Sequence, residues 1–363
     1  MHLKRFLDEI EKRIPLSLQE GFDNAGIQIG PFDKKADHVL LALDVTPETI
    51  QRAIQNKCSL VVSHHPVFFK PLKKIQTGSR KTEIIYQAIK NEITVYAAHT
   101  NFDIVEGGIN DYLSKKLNLR VIDALEKKKE NVIFKVQVFV PKTHKDLLVD
   151  KIAELGGGWI GNYSDCTFSS NGLGTFRPGK NTNPYIGTQD KRETVEEMKI
   201  ETIITEDRLE DLIEGVEEAH PYEEVAMEAF RLDRPDRRNG IGRICEPDQP
   251  VKLKELLERI KRLTGQERIQ FNGDPDTVIR RIAICTGSGA SLMRAAKGRA
   301  DVYITGDLGH HDFQYAFENG FALVDISHYN TEKFFAENFR AFFSDLDTVH
   351  FHDYNTNYIS IYN

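Results

Sequence analysis

The sequence predicts an α/β protein, a duplicated three-layer α/β core with an inserted ferredoxin-like α+β domain. Three observations lead there. Apolar strand-like runs alternate with amphipathic helical stretches in the first third of the chain, which implies a largely parallel sheet. The same pattern, with its histidines, returns in the last third. Between them the order of strands and helices changes.

In the first third, Val39 to Val45 is an apolar strand run, and Pro47 suits the first turn of the helix that follows. A second strand, Leu60 to Ser63, runs into His64-His65-Pro66. A helix is expected over 80–90 and a strand over 93–98, ending in His99-Thr100-Asn101-Phe102-Asp103. Gly107-Gly108 then lead into another helix. The polar run 126–130 reads as a linker. Beyond it come a strand over 132–140, a helix over 143–154 and a Gly-interrupted hairpin over 164–177. A strand over 200–205, a helix over 207–219 and a strand over 225–232 follow. This βαββαβ order is ferredoxin-like. Residues 234–240, Arg-Pro-Asp-Arg-Arg-Asn-Gly, read as the second linker. The expected domains are 1–126, the first half of the core; 127–235, the insert; and 236–363, the second half.

The third segment mirrors the first. Ile282 to Cys285 matches the strand at 39–45, Asp301 to Thr305 the strand before His64, and Ala322 to Ser327 the strand at 93–98. Gly309-His310-His311-Asp312 matches the His64-His65 doublet, and His328-Tyr329-Asn330-Thr331-Glu332 matches His99 to Asp103.

Composition narrows the function classes. The chain has 363 residues, 40% hydrophobic and 28% charged, the make-up of a packed globular protein of two or three domains. A net charge of −7 argues against nucleic acid as the main partner. The N-terminus reads as an amphipathic helix without a signal-peptide core, and no stretch approaches the ~20 apolar residues of a membrane span. Cys58, Cys166, Cys245 and Cys285 are far apart and form no CxxC pair, against a disulfide framework or thiolate zinc site. A cytoplasmic protein with no membrane partner is expected.

Ligands of open parallel sheets bind beyond the carboxyl ends of the strands. Six of the twelve histidines (His64, His65, His99, His310, His311 and His328) sit at such ends, with Asp103 and Glu332. Imidazoles with carboxylates and no thiolate suit zinc, iron(II), manganese or nickel. Two ions sharing a bridging carboxylate need about five or six protein ligands. Any single strand-end histidine is more simply a hydrogen-bonded structural residue. Adjacent histidines on a strand point to opposite faces, so for both to ligate the chain must bend, as Pro66 favours after His65. His2, His38, His144, His350 and His352 read as surface or packing residues.

The segments Ser63 to Pro66, His99 to Asp103, Gly306 to Asp312 and Ser327 to Glu332 resemble the signature segments of the NIF-three-like (GTP cyclohydrolase 1 type 2 homologue) family. The resemblance covers about 1–126 and 236–363. It implies a dinuclear centre with His64, His65, Asp103, His328 and Glu332 as ligands, His99 beside it, and His310 and His311 lining the same cavity. It implies two divalent ions per chain, zinc first, with iron or manganese as alternatives. It also implies two related α/β halves and a ring-like homohexamer around an internal cavity. The insert, with His220-Pro221-Tyr222-Glu223-Glu224, resembles the PII/CutA-like domain of the longer members.

The function expected is a metal-dependent hydrolase acting on a nucleotide or other phosphate-bearing small molecule, with His99, His310 and His311 moving protons. Opening of a purine nucleotide ring is what the family label implies. The competing reading is a non-catalytic metal-binding regulatory or sensor assembly. Weaker signals are the turn Thr286 to Ser291, an anion cradle or a plain strand-to-helix turn, and His220 with Glu223 and Glu224, a metal site or, preferably, a solvated turn. Trp159 after three glycines reads as a packing or contact residue, and Lys127 to Lys129 as a solvated linker.

Overall fold

The computed structural model describes residues 1–76, 78–127, 133–160, 163–232, 239–346 and 348–359. They form two compact units, Met1–Lys128 with Asp236–Asn363, and Lys129–Pro235.

The first unit contains two sheets of related topology. In one, strands His38–Ala42, Leu60–Ser63 and Thr94–Ala97 run parallel and adjacent in chain order. Gly26–Ile29 lies antiparallel beyond the third strand, and His350–Asp353 lies parallel beyond the first. In the other, Ile282–Ser288, Val302–Gly306 and Ala322–Asp325 repeat the parallel trio, again with a short antiparallel strand, Gln270–Phe271, beyond the third. The repeat of the sequence is thus a repeat of strand order. The opposite edges differ: the second sheet is extended by Gly240–Pro247 and Leu119–Lys127, each antiparallel to its neighbour.

Each sheet is buried on both faces, which is why its strands read as continuous apolar runs. Val39 and Leu41 face the helices Leu3–Arg13 and Phe335–Phe342 through Phe6, Ile10 and Phe339, whereas Leu40, Val61 and Val95 face Pro47–Gln55 and Arg80–Lys90 through Ile50 and Ile84. In the second sheet Ile282, Ile284 and Val302 pack on Leu253–Thr264, and Ala283, Cys285 and Tyr303 pack on Met293 and Ala316. Each half is therefore three-layered. Helix Pro47–Gln55 starts as its sequence requires: Pro47 leads it, and the Thr46 and Thr49 side chains cap each other's backbone N–H.

The second unit is a four-stranded antiparallel sheet in the order Phe168–Phe176, Glu193–Thr205, Ile133–Pro141, Met227–Leu232. Helices Lys145–Glu154 and Leu209–Ala219 cover one face, Leu148, Ile152, Leu212 and Val216 packing on Val136, Val138 and Ile200. Strand and helix order and sheet order together make it ferredoxin-like. One expectation is corrected. Residues 164–177 are not a hairpin in themselves but supply one strand, whose partner Glu193–Thr205 starts well before the expected 200. Glu193, Glu196 and Glu197 hide that strand's first half from a search for apolar runs.

The outer ends of the expected linkers are strand residues. Glu126 and Lys127 end a strand and pair with Ile241 and Gly240, so the insert leaves and rejoins the first unit between two paired residues. The rest of the run to 130, and 234–238, lie outside the described residues.

Candidate metal centre

The carboxyl ends of both parallel trios supply the cluster. Strand Leu60–Ser63 delivers His64 and His65, where the chain bends so that their rings stand 5.2 Å apart. Strand Thr94–Ala97 delivers His99, at the start of helix Thr100–Ile104, which carries Asp103. From the other half, Val302–Gly306 leads into Asp307, and helix His328–Glu332 follows Ala322–Asp325. His328 and Glu332 are one helical turn apart, so their side chains share a face.

Three groups of donor atoms converge: His64, His65 and His99; His65, His328 and Glu332; and His64, Asp103 and Glu332, each with atoms within 4.8 Å of one another. Glu332 Oε2 lies 3.0 Å from His65 Nε2 and 3.1 Å from His328 Nε2, and those two nitrogens are 3.2 Å apart. Glu332 Oε1 is 3.5 Å from His64 Nε2, and Asp103 Oδ2 is 3.9 Å from the same nitrogen. Ligand bonds of ~2.0–2.1 Å put neighbouring ligands roughly 3.0–3.4 Å apart in octahedral or tetrahedral geometry, so the closest three distances fit edges of a coordination shell. His64 Nε2 is buried without a hydrogen-bond partner, and Glu332 Oε2, buried too, has two ring nitrogens close by without hydrogen-bond geometry to either. Buried polar atoms are rarely left so, and a cation between them would satisfy both.

The other ring nitrogen of each histidine is already held. Nδ1–H of His64 donates to the Ala98 carbonyl (2.8 Å), that of His65 to Asp44 (2.9 Å), that of His99 to Asp23 (2.7 Å) and that of His328 to Asp307 (2.6 Å). Metal-ligating histidines are oriented this way, the outward nitrogen anchored and the inward one free to bind. Asp103 Oδ1 accepts from Thr286 Oγ1 at 2.7 Å, which ties it to the second half.

Five carboxylates, of Asp23, Asp44, Asp103, Asp307 and Glu332, thus surround four imidazoles. Without a metal ion, protons must balance them. Burial lowers the pKa of His65, but Asp44 and Glu332 outweigh it and raise it to about 10. His328 is raised to about 9, mainly by its contact with Glu332. Burial works against Glu332, yet His64, His328 and His65 hold it well below the ordinary carboxylate range. Asp103 is pushed up by burial, and the charge of Glu332 adds to the shift. Cys285, buried nearby, has its thiol pushed far up and offers no thiolate.

Other expected site residues fall elsewhere. His310 and His311 do not mirror His64 and His65: Asp307, Leu308 and Gly309 intervene after the strand, so the doublet starts helix His310–Glu318, exposed, outside all three donor groups. The place beside the strand end goes to Asp307. The turn after Cys285 is not an open anion cradle, because the N–H of Thr286 donates to Asn110 and that of Gly287 to Thr331. It serves the carboxylates instead: a Cβ on Gly287 would sit 2.5 Å from Glu332 Oε1. His220 is a satisfied structural histidine, with Nε2 on the Phe139 carbonyl and Nδ1 accepting from Tyr222 N–H. Trp159 is exposed.

The sequence pattern of the Duf34/NIF3 (NGG1p interacting factor 3) family matches residues 1–358. The chain belongs to this family. A Halalkalibacterium halodurans member, a GTP cyclohydrolase 1 type 2 homolog, is 40% identical over 324 residues, 89% of this chain and 87% of the relative. A Bacillus subtilis protein of the same description is 34% identical over 308 residues, 85% and 83% of the two chains. The crystal structure of a Bacillus cereus protein related to NIF3 matches with a TM-score of 0.80 at 34% identity, covering 100% of this chain and 99% of that one. A Staphylococcus aureus structure matches with 0.82 at 27% identity, with the same coverage.

Within this NIF-three-like chain, sequence reasoning missed Asp23, Asp44 and Asp307, although each fixes one histidine. The only signal available was position. Asp44 and Asp307 each lie just past a parallel strand. What the structure adds is that Asp307 has a left-handed φ of 59°, which non-glycine residues rarely adopt.

Proposed function

We propose that His64, His65, Asp103, His328 and Glu332 hold two divalent ions, and that the chain is a metal-dependent hydrolase of a nucleotide or other phosphate-bearing substrate. The reading rests on Glu332. Its Oε1 is directed to His64, its Oε2 to His65 and His328, so its two oxygens serve two donor sets, as a bridging carboxylate does. Imidazole and carboxylate donors without thiolate suit zinc, with iron or manganese as alternatives. When bound, such ions supply Lewis acidity and acidify water.

His99, with Nδ1–H committed to Asp23, leaves its other nitrogen as the acceptor and is the best placed of the expected proton carriers. His310 and His311 would act only on a substrate that reaches the start of helix His310–Glu318. An anionic, ring-bearing substrate is supported by the loop after His65: Phe69 is 50% exposed with its ring 5.6 Å from His99, and Lys70, Lys73 and Lys74 follow, all exposed. The description of the relatives as GTP cyclohydrolase 1 type 2 homologs points the same way. A cytoplasmic homohexamer is part of this reading and rests on the family resemblance.

The test is product release from GTP, related nucleotides and simple phosphodiesters by metal-reconstituted protein, beside the same protein treated with chelator, over pH 6 to 9. Metal-dependent turnover is expected, with His99→Ala slowing it about 10²–10⁴-fold. Equal rates with and without metal across the panel would overturn it and favour a non-catalytic, metal-binding regulatory assembly. That second reading draws on the separate unit Lys129–Pro235, which has a cavity of its own.

A further inference from the structure

We propose that the inserted unit carries a binding site for a small organic cation, an ammonium with an apolar or aromatic body. The site is a cavity of about 310 Å³ in the unit Lys129–Pro235, at the lower end of the size range of small-molecule pockets. Its walls are aromatic and apolar. Phe176, Tyr185 and Tyr222 stand together, with ring centroids 6.1 Å apart for Phe176 and Tyr222 and 6.3 Å for Tyr185 and Tyr222. Among the described residues its charged lining is acidic throughout: Glu197, Glu223 and Glu224, with no lysine, arginine or histidine.

The carboxylates have distinct tasks. Glu223 accepts from the backbone N–H of Asn183 (3.0 and 3.1 Å) and so holds the loop 177–192 that forms one wall. That loop is also knit internally, Gln189 donating to the Thr182 carbonyl and Asp190 N–H to that of Pro178, so the wall is formed before any ligand arrives. Glu197 accepts from Tyr222 Oη–H at 2.9 Å through one oxygen. Its other oxygen occupies the space over Gly174, where a Cβ would lie 2.0 Å away, so the glycine makes room for this carboxylate.

A phosphate or carboxylate ligand would meet three like charges and, among the described lining residues, no cation. An apolar neutral one would strip water from Glu197 without replacing it. A divalent ion is poorly served, because Glu223 is spent on Asn183 and no His/Asp/Glu donor group converges here among the described residues. An ammonium over tyrosine and phenylalanine faces, with a carboxylate beside it, satisfies every group.

The test is calorimetric titration of the full-length, metal-loaded protein with phenethylammonium and tetramethylammonium, and with phenethyl alcohol and 3-phenylpropionate as neutral and anionic counterparts. At least one cation is expected to bind saturably, at least about 10-fold tighter than either counterpart. Glu197→Gln, which removes the charge at constant volume, and Tyr185→Ala, at a residue 54% exposed, should each weaken it about 10-fold with metal content unchanged. Binding of neither cation at millimolar concentration, equal or tighter binding of the alcohol or the anion, or unaltered binding in both variants would overturn the proposal.

Discussion

Protons and metal ions compete for the same nitrogens, and His65 and His328 set the terms. In the metal-free protein their pKa values stand at about 10 and about 9, above the ~6.5 of an unfolded histidine. Their stabilising contribution is therefore complete below about pH 6.5 and is lost as pH rises through 9 to 10. Metal binding needs the same nitrogens deprotonated, so it releases protons and tightens as pH rises. Chelated protein should lose melting temperature from pH 7 to 10, while protein kept with excess metal should lose much less; parallel curves would contradict the ligand assignment of these two histidines. His64, His65, His99, Asp103, His328 and Glu332 are legible in the sequence because each follows an apolar run that can only be a buried strand. Asp23, Asp44 and Asp307 are not, since an aspartate in a loop looks like any turn residue until the fold brings a histidine to it.

Strand Ile282–Ser288 shows how an element shapes the centre. Gly287 has a φ of 67° and lies against Glu332, whereas Gly298 has a φ of 72° and open space around its Cβ position. Gly287→Ala and Gly298→Ala should each lose about 1–2 kcal/mol to backbone strain. Only Gly287→Ala should also displace the Glu332 carboxylate and cut metal content. Measured by denaturant unfolding and metal analysis, equal metal content in both variants would show that Gly287 does not make room for that carboxylate. Helix 80–90 is read correctly from its apolar spacing because Ile84, Ile85 and Ala88 all face the core. The 164–177 hairpin and the His310-His311 mirror fail for another reason. Both rest on local pattern, while strand pairing across the loop 177–192 is settled by tertiary structure, and Asp307 to Gly309 carry the doublet past the strand end into the next helix.

At the scale of the molecule, the insert interrupts a β-ladder at one rung. Lys127 pairs with Gly240, and paired residues of an antiparallel ladder lie only about 4.5–5.5 Å apart. Replacing 128–239 by Asn-Gly should therefore close the two strands as a hairpin and leave the remaining unit folded, with its metal content unchanged. Insolubility or metal loss would mean that the core depends on the insert. The duplication is legible in the sequence because both parallel trios are buried on both faces, whereas the edge strand His350–Asp353, with three polar residues of four, is not. The central claim is that Glu332, from the second half, joins two ions held with His64, His65 and Asp103 of the first. Metal analysis of freshly purified protein, with anomalous scattering at the metal edges, tests it most directly when Glu332→Gln is measured alongside. The account predicts two ions per chain in the unaltered protein, on either side of the Glu332 carboxylate, and one or none in the variant. Two ions retained in Glu332→Gln, or a single ion in the unaltered protein, would contradict it.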